Sequence, residues 1–211
     1  MGYELWIILG FYVLVYIGFL IWYGGRGKPM SQAELDNLIL RMEKNVAARQ
    51  GQPNPALKND FRTLASSDDG NEFIMVNLIK YREKASYPAG YTYDDDPLAA
   101  DARYNAAVAL PLLKRAGIPI FISKKMGPFI DPDGSDQWDR VALVRYRSRR
   151  DLLQMAAELA TKDADVHKWA SIEKTHVFPV KPLFGIPAIR LLVAVILALL
   201  AALTSLIIIV L

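Results

Sequence analysis

Apolar residues crowd the two ends of this chain and fall at helix or strand spacing through its middle. Leu5 to Tyr23 is a run of nineteen residues without a charge, and Leu191 to Leu211 is a run of twenty-one. At a rise of ~1.5 Å per residue these would span roughly 28 and 31 Å as helices, close to the ~30 Å hydrocarbon thickness of a bilayer. Lipid offers a backbone no hydrogen-bond partners, so a single spanning segment must be helical. The pattern predicts a transmembrane helix within 1–25, a helical connector over 26–66, a folded domain over 67–182 and a second transmembrane helix within 183–211.

The connector opens with Ser31-Gln32-Ala33-Glu34, a capping box in which the Ser oxygen and the Glu carboxylate each satisfy a free backbone N–H. The following helix, to about Gln50, places Leu35, Leu38, Ile39, Met42 and Val46 on one face. Gly51 stops it, Gln52-Pro53-Asn54-Pro55 turns the chain, and a short second helix carries Leu57, Phe61 and Leu64. These helices pack on the domain or lie at the membrane surface.

After the turn Ser67-Asp68-Asp69-Gly70, Phe73 to Tyr81 is an apolar, β-rich run of strand length. Residues 96–116 read as a helix, started by Asp95-Asp96-Pro97, bent by Pro111 and ended by Gly117. Ile118 to Lys125 is a second strand and Trp138 to Tyr146 a third, with Gly127-Pro128 and Asp131-Pro132-Asp133-Gly134 turning between them. Ser148-Arg149-Arg150-Asp151 caps a helix over 149–160, a further helical piece covers 163–174, and Thr175 to Val180 is a fourth strand. The order β-α-β-β-α-β specifies an α+β fold, a ferredoxin-like layer of two helices on a four-stranded antiparallel sheet.

Charge sets the expected orientation. Glu4 precedes the first apolar run, Arg26 and Lys28 follow it, and Lys174, Lys181 and Arg190 precede the second. Basic residues near membrane ends favour the cytoplasmic side. This predicts a two-pass protein of a bacterial inner membrane with both termini outside and the central domain in the cytoplasm. A cleaved signal peptide fits less well, because no basic stretch precedes the run and no small-residue cleavage site follows it. The formal net charge of +3 is mild and its basic residues are scattered among acidic ones, which argues against nucleic acid as a partner. With no cysteine there are no disulfides, thiol nucleophiles or thiolate metal sites.

Several linked motifs carry a family resemblance: Met75-Val76-Asn77-Leu78-Ile79-Lys80-Tyr81-Arg82, Tyr87-Pro88, Tyr104 with Leu110-Pro111-Leu112-Leu113, and Gly117. Trp138-Asp139, Val141-Ala142-Leu143-Val144, Tyr146-Arg147-Ser148 and His167-Lys168-Trp169-Ala170 extend it. Together, over roughly residues 61–181, the chain resembles the uncharacterised bacterial proteins grouped as domain-of-unknown-function family 1330. The resemblance implies the dimeric α+β-barrel superfamily, in which two ferredoxin-like sheets pack face to face, and so a possible homodimer. It implies no particular reaction, and typical members lack the two membrane helices found here.

Candidate chemistry is sparse. Asn77 lies among apolar neighbours on the first strand and reads either as a ligand-orienting group or as a core amide bonded to nearby backbone. The two histidines, His167 and His176, make no ligand spacing with each other or with carboxylates. By analogy with haem-degrading barrels, Asn77, Trp138 and His167 are the residues to map, and Tyr104 joins them as a fourth pocket candidate. Asp131 to Asp136 looks like a calcium loop but has Asp136 where glycine is needed and Ala142 where a bidentate Glu is needed, so a hairpin turn is expected. No metal or other cofactor is expected.

In the first apolar run Tyr12, Tyr16, Phe19 and Tyr23 share a face, with Trp6 and Trp22 near the two interfaces. In the second, Ala194, Ala198, Ala201, Ala202 and Ser205 form a small-residue groove suited to close helix approach. These faces either pack on each other or dock on another membrane subunit, a pigment or a quinone. The expectation is therefore an accessory or scaffold subunit of a larger membrane complex of respiratory, photosynthetic or oxygenase type. The alternative is a cofactor-independent monooxygenase or isomerase acting on a small apolar aromatic or quinone-like compound.

Overall fold

The computed structural model describes residues 2–25, 27–48, 55–127, 130, 138–162, 164–181 and 188–210. The expected turns at 51–54 and 131–136, and Arg26, lie outside them. The chain runs α1 (Gly2–Tyr23), α2 (Gln32–Ala48), α3 (Pro55–Ser66), β1 (Phe73–Tyr81), α4 (Pro97–Lys114), β2 (Ile118–Ile122), β3 (Arg140–Tyr146), α5 (Arg149–Leu159), α6 (Ala164–Ser171), β4 (Ile172–Val180) and α7 (Ala188–Val210). Two compact units result, one of residues 1–24 with 182–211 and one of residues 25–181.

In the first unit α1 and α7 form a helical hairpin, each long and apolar enough to cross a membrane. Tyr12 and Thr204 share a hydrogen bond of 3.2 Å, and the Tyr16 hydroxyl donates 3.3 Å to the carbonyl of Arg190. Both hydroxyls thus have the acceptors that an apolar medium would deny them. Arg190 donates to the carbonyl of Gly24 at 2.8 Å and stacks over the Tyr23 ring at 4.7 Å, closing the open end of the hairpin. Ala194, Ala201, Thr204 and Ser205 are half-buried, whereas Ala198 and Ala202 are exposed. The small-residue groove therefore has a half-buried side and an exposed side.

The second unit is the ferredoxin-like domain. Its sheet has the order β2-β3-β1-β4, antiparallel throughout. Asp96 caps α4 by accepting from the Leu98 N–H at 2.8 Å, and Pro97 fills the first helical position, where its missing N–H costs nothing. Ser148 caps α5 by accepting from the Asp151 N–H, and its own hydroxyl donates to the Asp151 carboxylate at 2.7 Å. Burial works to raise the Asp151 pKa, but hydrogen bonds from Arg147 and Ser148 and the charges of Arg147 and Arg115 outweigh it and hold the carboxyl low.

Strand alternation assigns the faces. Phe73, Met75, Asn77, Ile79 and Tyr81 share one face with Val144 and Tyr146 of β3. There Val144 and Tyr146 pack against Val108 and Leu112 of α4 and Met155 of α5. Behind α5, Leu153 and Ala157 meet Leu35, Leu38, Ile39 and Met42 of α2, with Phe61 and Ala65 of α3 alongside. Sheet, first helix layer and α2 thus stack in sequence on a single side, and each fully buried Leu or Ile there contributes roughly 1.5–3 kcal/mol.

Two local departures from the sequence reading have physical causes. Strand β4 starts at Ile172, not Thr175, because Lys174 and Ile172 pair with Lys80 and Tyr81 at the far end of β1. Ladder pairing there overrides the helical pattern. The residue that ends α4 in the left-handed region is Ala116 (φ 52°), with Gly117 just after it. A Cβ at Gly117 would run into the Leu112 side chain and crowd the Leu112 carbonyl oxygen, so a larger residue there would force Leu112 to shift.

Both ends of this domain are fastened at one corner. The Glu72 N–H donates to the carbonyl of Gly25 at 3.2 Å, and the Met30 N–H donates to Asp68 at 2.7 Å. Lys181 reaches Asp69 at 3.3 Å. Gly70 (φ 72°) admits the backbone of Gly27 so closely that a Cβ would collide with its carbonyl oxygen. Hydrogen bonds from the backbone and side chain of Asn71, helped by Lys181, lower the Asp69 pKa to about 2.

Candidate interaction surface

The four pocket candidates have four different sets of neighbours. Asn77 faces the helix layer, and its amide donates to the carbonyls of Met75 at 3.1 Å and Ala142 at 3.2 Å. Tyr104 borders the core of Val108, Leu112 and Met155, with the Lys168 ammonium 5.7 Å from its ring. Trp138 precedes β3 and carries Lys174 at 4.7 Å over its ring. His167 places Nδ1 2.9 Å from the Tyr87 hydroxyl and meets the Tyr87 and Tyr93 rings edge-on.

The structure assembles two polar clusters around tyrosines, Tyr81 in one and Tyr87, Tyr91 and Tyr93 in the other, that the sequence offers only as cavity lining or core filler. In one, the buried Asp101 of α4 accepts from the Tyr81 hydroxyl at 2.9 Å, Asn105 at 3.0 Å and Arg140 at 2.7 Å. Burial, and then the charge of Asp101, push the Tyr81 phenol well above its usual range. A carboxylate with three donors and a phenol held protonated make a clasp between β1, β3 and α4, not a poised base. In the other, Tyr87, Tyr91 and Tyr93 form a triangle of mutual ring contacts beside His167, while Arg103 lies 4.8 Å over Tyr93 and pairs with Asp94. An aspartate amid the alanines of α4 and the tyrosine-rich loop were the available signals. Their partners, 20 to 80 residues away in the chain, were not legible.

The less expected feature is the second face of the sheet. Ile74, Val76 and Leu78 of β1 align there with Val141 and Leu143 of β3, Phe178 and Val180 of β4, and Phe121 of β2, and the exposed His176 of β4 pairs with Leu78 within the same face. Neither core cluster includes any of these residues. Lys80 and Lys174 bound this apolar field at one end. At the other, the buried Arg145 donates to Glu72 at 3.0 Å and to the carbonyl of Ala116 at 2.8 Å. An antiparallel strand with one solvated face normally alternates apolar with polar positions. β1 does not: only Asn77 interrupts its apolar run from Phe73 to Ile79.

Comparison with known proteins supports the architecture. No protein-family model matches the chain, and no curated protein does. Among solved structures, the methylated RPA0582 protein is similar, with a TM-score of 0.54 and 23% identity over 64% of this chain and 95% of that one. A second structure of RPA0582, a protein of unknown function from Rhodopseudomonas palustris, gives 0.53 and 23% over 64% and 97%. The likeness is one of fold. A dimeric protein of unknown function with a ferredoxin-like fold from Bacteroides fragilis has 12% identity over 53% of this chain and 96% of that one, at a TM-score of 0.35.

Proposed function

We propose that this protein is a membrane-anchored scaffold subunit. In this reading α1 and α7 cross a bacterial inner membrane with both termini outside, and the domain of residues 25–181 sits on the cytoplasmic side. Two copies join through the apolar sheet face, and the resulting four membrane helices present a larger membrane complex with a docking site. The observation that carries the reading is the lack of alternation in β1: Phe73 to Ile79 is apolar on both faces apart from Asn77, and among the described residues of the domain only one face packs on the core of α4 and α5. The resemblance to family 1330 agrees with face-to-face pairing of two such sheets. The outward Ala198 and Ala202 of α7 offer small-residue contact to a neighbouring helix. The enzyme alternative needs Asn77, Tyr104, Trp138 and His167 to converge, and no observed neighbourhood holds all four.

Native mass spectrometry after gentle detergent extraction tests this directly. The expected result is a multiple of two of the 23.6 kDa chain together with a companion membrane subunit. A solitary chain overturns the proposal, and so do terminal tags reachable only from inside the cell.

A further inference from the structure

The rungs that cross from β1 to β4 grade from apolar to charged along the open face of the sheet. Ile74 pairs with Val180, Val76 with Phe178, Leu78 with His176, and Lys80 with Lys174. His176 is thus the last member of the apolar field before the lysines, and imidazole is the side chain whose charge changes between pH 5 and 8. The ring is exposed, lies 5.0 Å from that of Phe178, and is held by no hydrogen bond or ion pair among the described residues. The cationic groups on its face are Lys80, diagonally across on β1, and Lys174 on its own strand. Of the carboxylates in that region, exposed Glu173 has no rung partner where the β1–β4 register shifts. The other, Asp139, lies beyond β1 and accepts from the Tyr81 N–H at 2.8 Å. Helices α4 and α5 pack on the opposite face and bring no charge to this one.

Burial treats the two forms of the ring differently. A neutral imidazole presents an apolar body, whereas an imidazolium taken out of water needs a counter-charge. Here it would meet two lysines instead, and the charged end of the face would advance one rung into the apolar field. We propose that His176 makes the pairing of two sheet faces depend on pH: copies join while the ring is neutral and part as it gains its proton. This rests on the face-to-face pairing proposed above and adds its regulation. The sign follows from linkage. The paired state binds fewer protons than the single chain, so a fall in pH through the imidazole range drives pairs apart. Carboxylates stay ionised over that range. The other histidine, His167, belongs to α6 and bonds Tyr87, away from this face. Acidification around the domain thus dismantles the scaffold.

Energy transfer between donor- and acceptor-labelled full chains in detergent micelles reads the dissociation constant of the pair. It is expected to rise about tenfold or more between about pH 7.5 and about pH 5.5. His176→Leu should pair tightly at both values and His176→Lys weakly at both. The position is exposed, so neither substitution disturbs the core. Val76→Lys removes pairing through the face, so any transfer that remains comes from the membrane helices and should not change with pH. Equal affinity of the unsubstituted chain at the two pH values overturns this inference and leaves the pairing in place. A pH response that persists in His176→Leu or in Val76→Lys overturns it too. Single chains at both pH values, in the unsubstituted protein and in His176→Leu alike, overturn the pairing itself and this inference with it.

Discussion

The two faces of one sheet make the most instructive comparison in this molecule. On the helix side, Phe73 and Met75 of β1 are buried, the first stacked on Tyr146 at 5.5 Å. On the other side Ile74, Val76 and Leu78 are no less apolar, yet only half-buried. The same strand contributes both sets, so backbone and composition are controlled and only the covering differs. Hydrophobic stabilisation scales with area removed from water, at ~25 cal/mol per Å². The helix face has gained more of it within the chain at Phe73 and Met75 than the other face has at Ile74, Val76 and Leu78.

Substitutions should separate the two faces cleanly. The largest effect is expected inside the helix stack: Leu153→Ala removes a fully buried side chain and should cost about 3 kcal/mol in denaturant unfolding. At the Asp101 clasp, Asp101→Asn removes the partner of Arg140 and should cost about 1–3 kcal/mol by the same measurement. Val76→Lys on the open face should change the unfolding midpoint of an isolated chain little, yet convert a paired species to single chains in light scattering. A strongly destabilised single chain would show instead that the face is already covered within the molecule.

The smallest effect is electrostatic. Folded Asp69 and Asp151 both titrate below their unfolded value of 3.8, so the folded chain binds fewer protons in that range. Their contribution is complete above the unfolded value and is lost as pH falls through the folded one, toward about 2 for Asp69. Carboxyl titration followed by NMR should place the Asp69 midpoint near that value, and Asn71→Ala should raise it.

Local patterns were readable where local physics decides. The bounds of β1, the cap at Ser148 and the buried face of α2 all followed from spacing and from residue types that satisfy free N–H groups. The amide of Asn77 bonds nearby backbone, the plainer of its two readings. What stayed hidden depends on pairing across long separations: the early start of β4, the three donors on Asp101, and the meeting of Tyr87 with His167. Which small residues of α7 are covered also stayed hidden: Ala194, Ala198, Ala201, Ala202 and Ser205 share one face at ~100° per residue, yet Ala194, Ala201 and Ser205 are half-buried and Ala198 and Ala202 exposed.

The corner where Gly25 meets Glu72 and where Val180 pairs with Ile74 puts the domain's first and last residues side by side. In architectural terms the domain is a cassette inserted into a helical hairpin. A bridge of a few residues could replace it and leave the hairpin's two arms joined, and a loop of similar length could close the excised cassette into a ring.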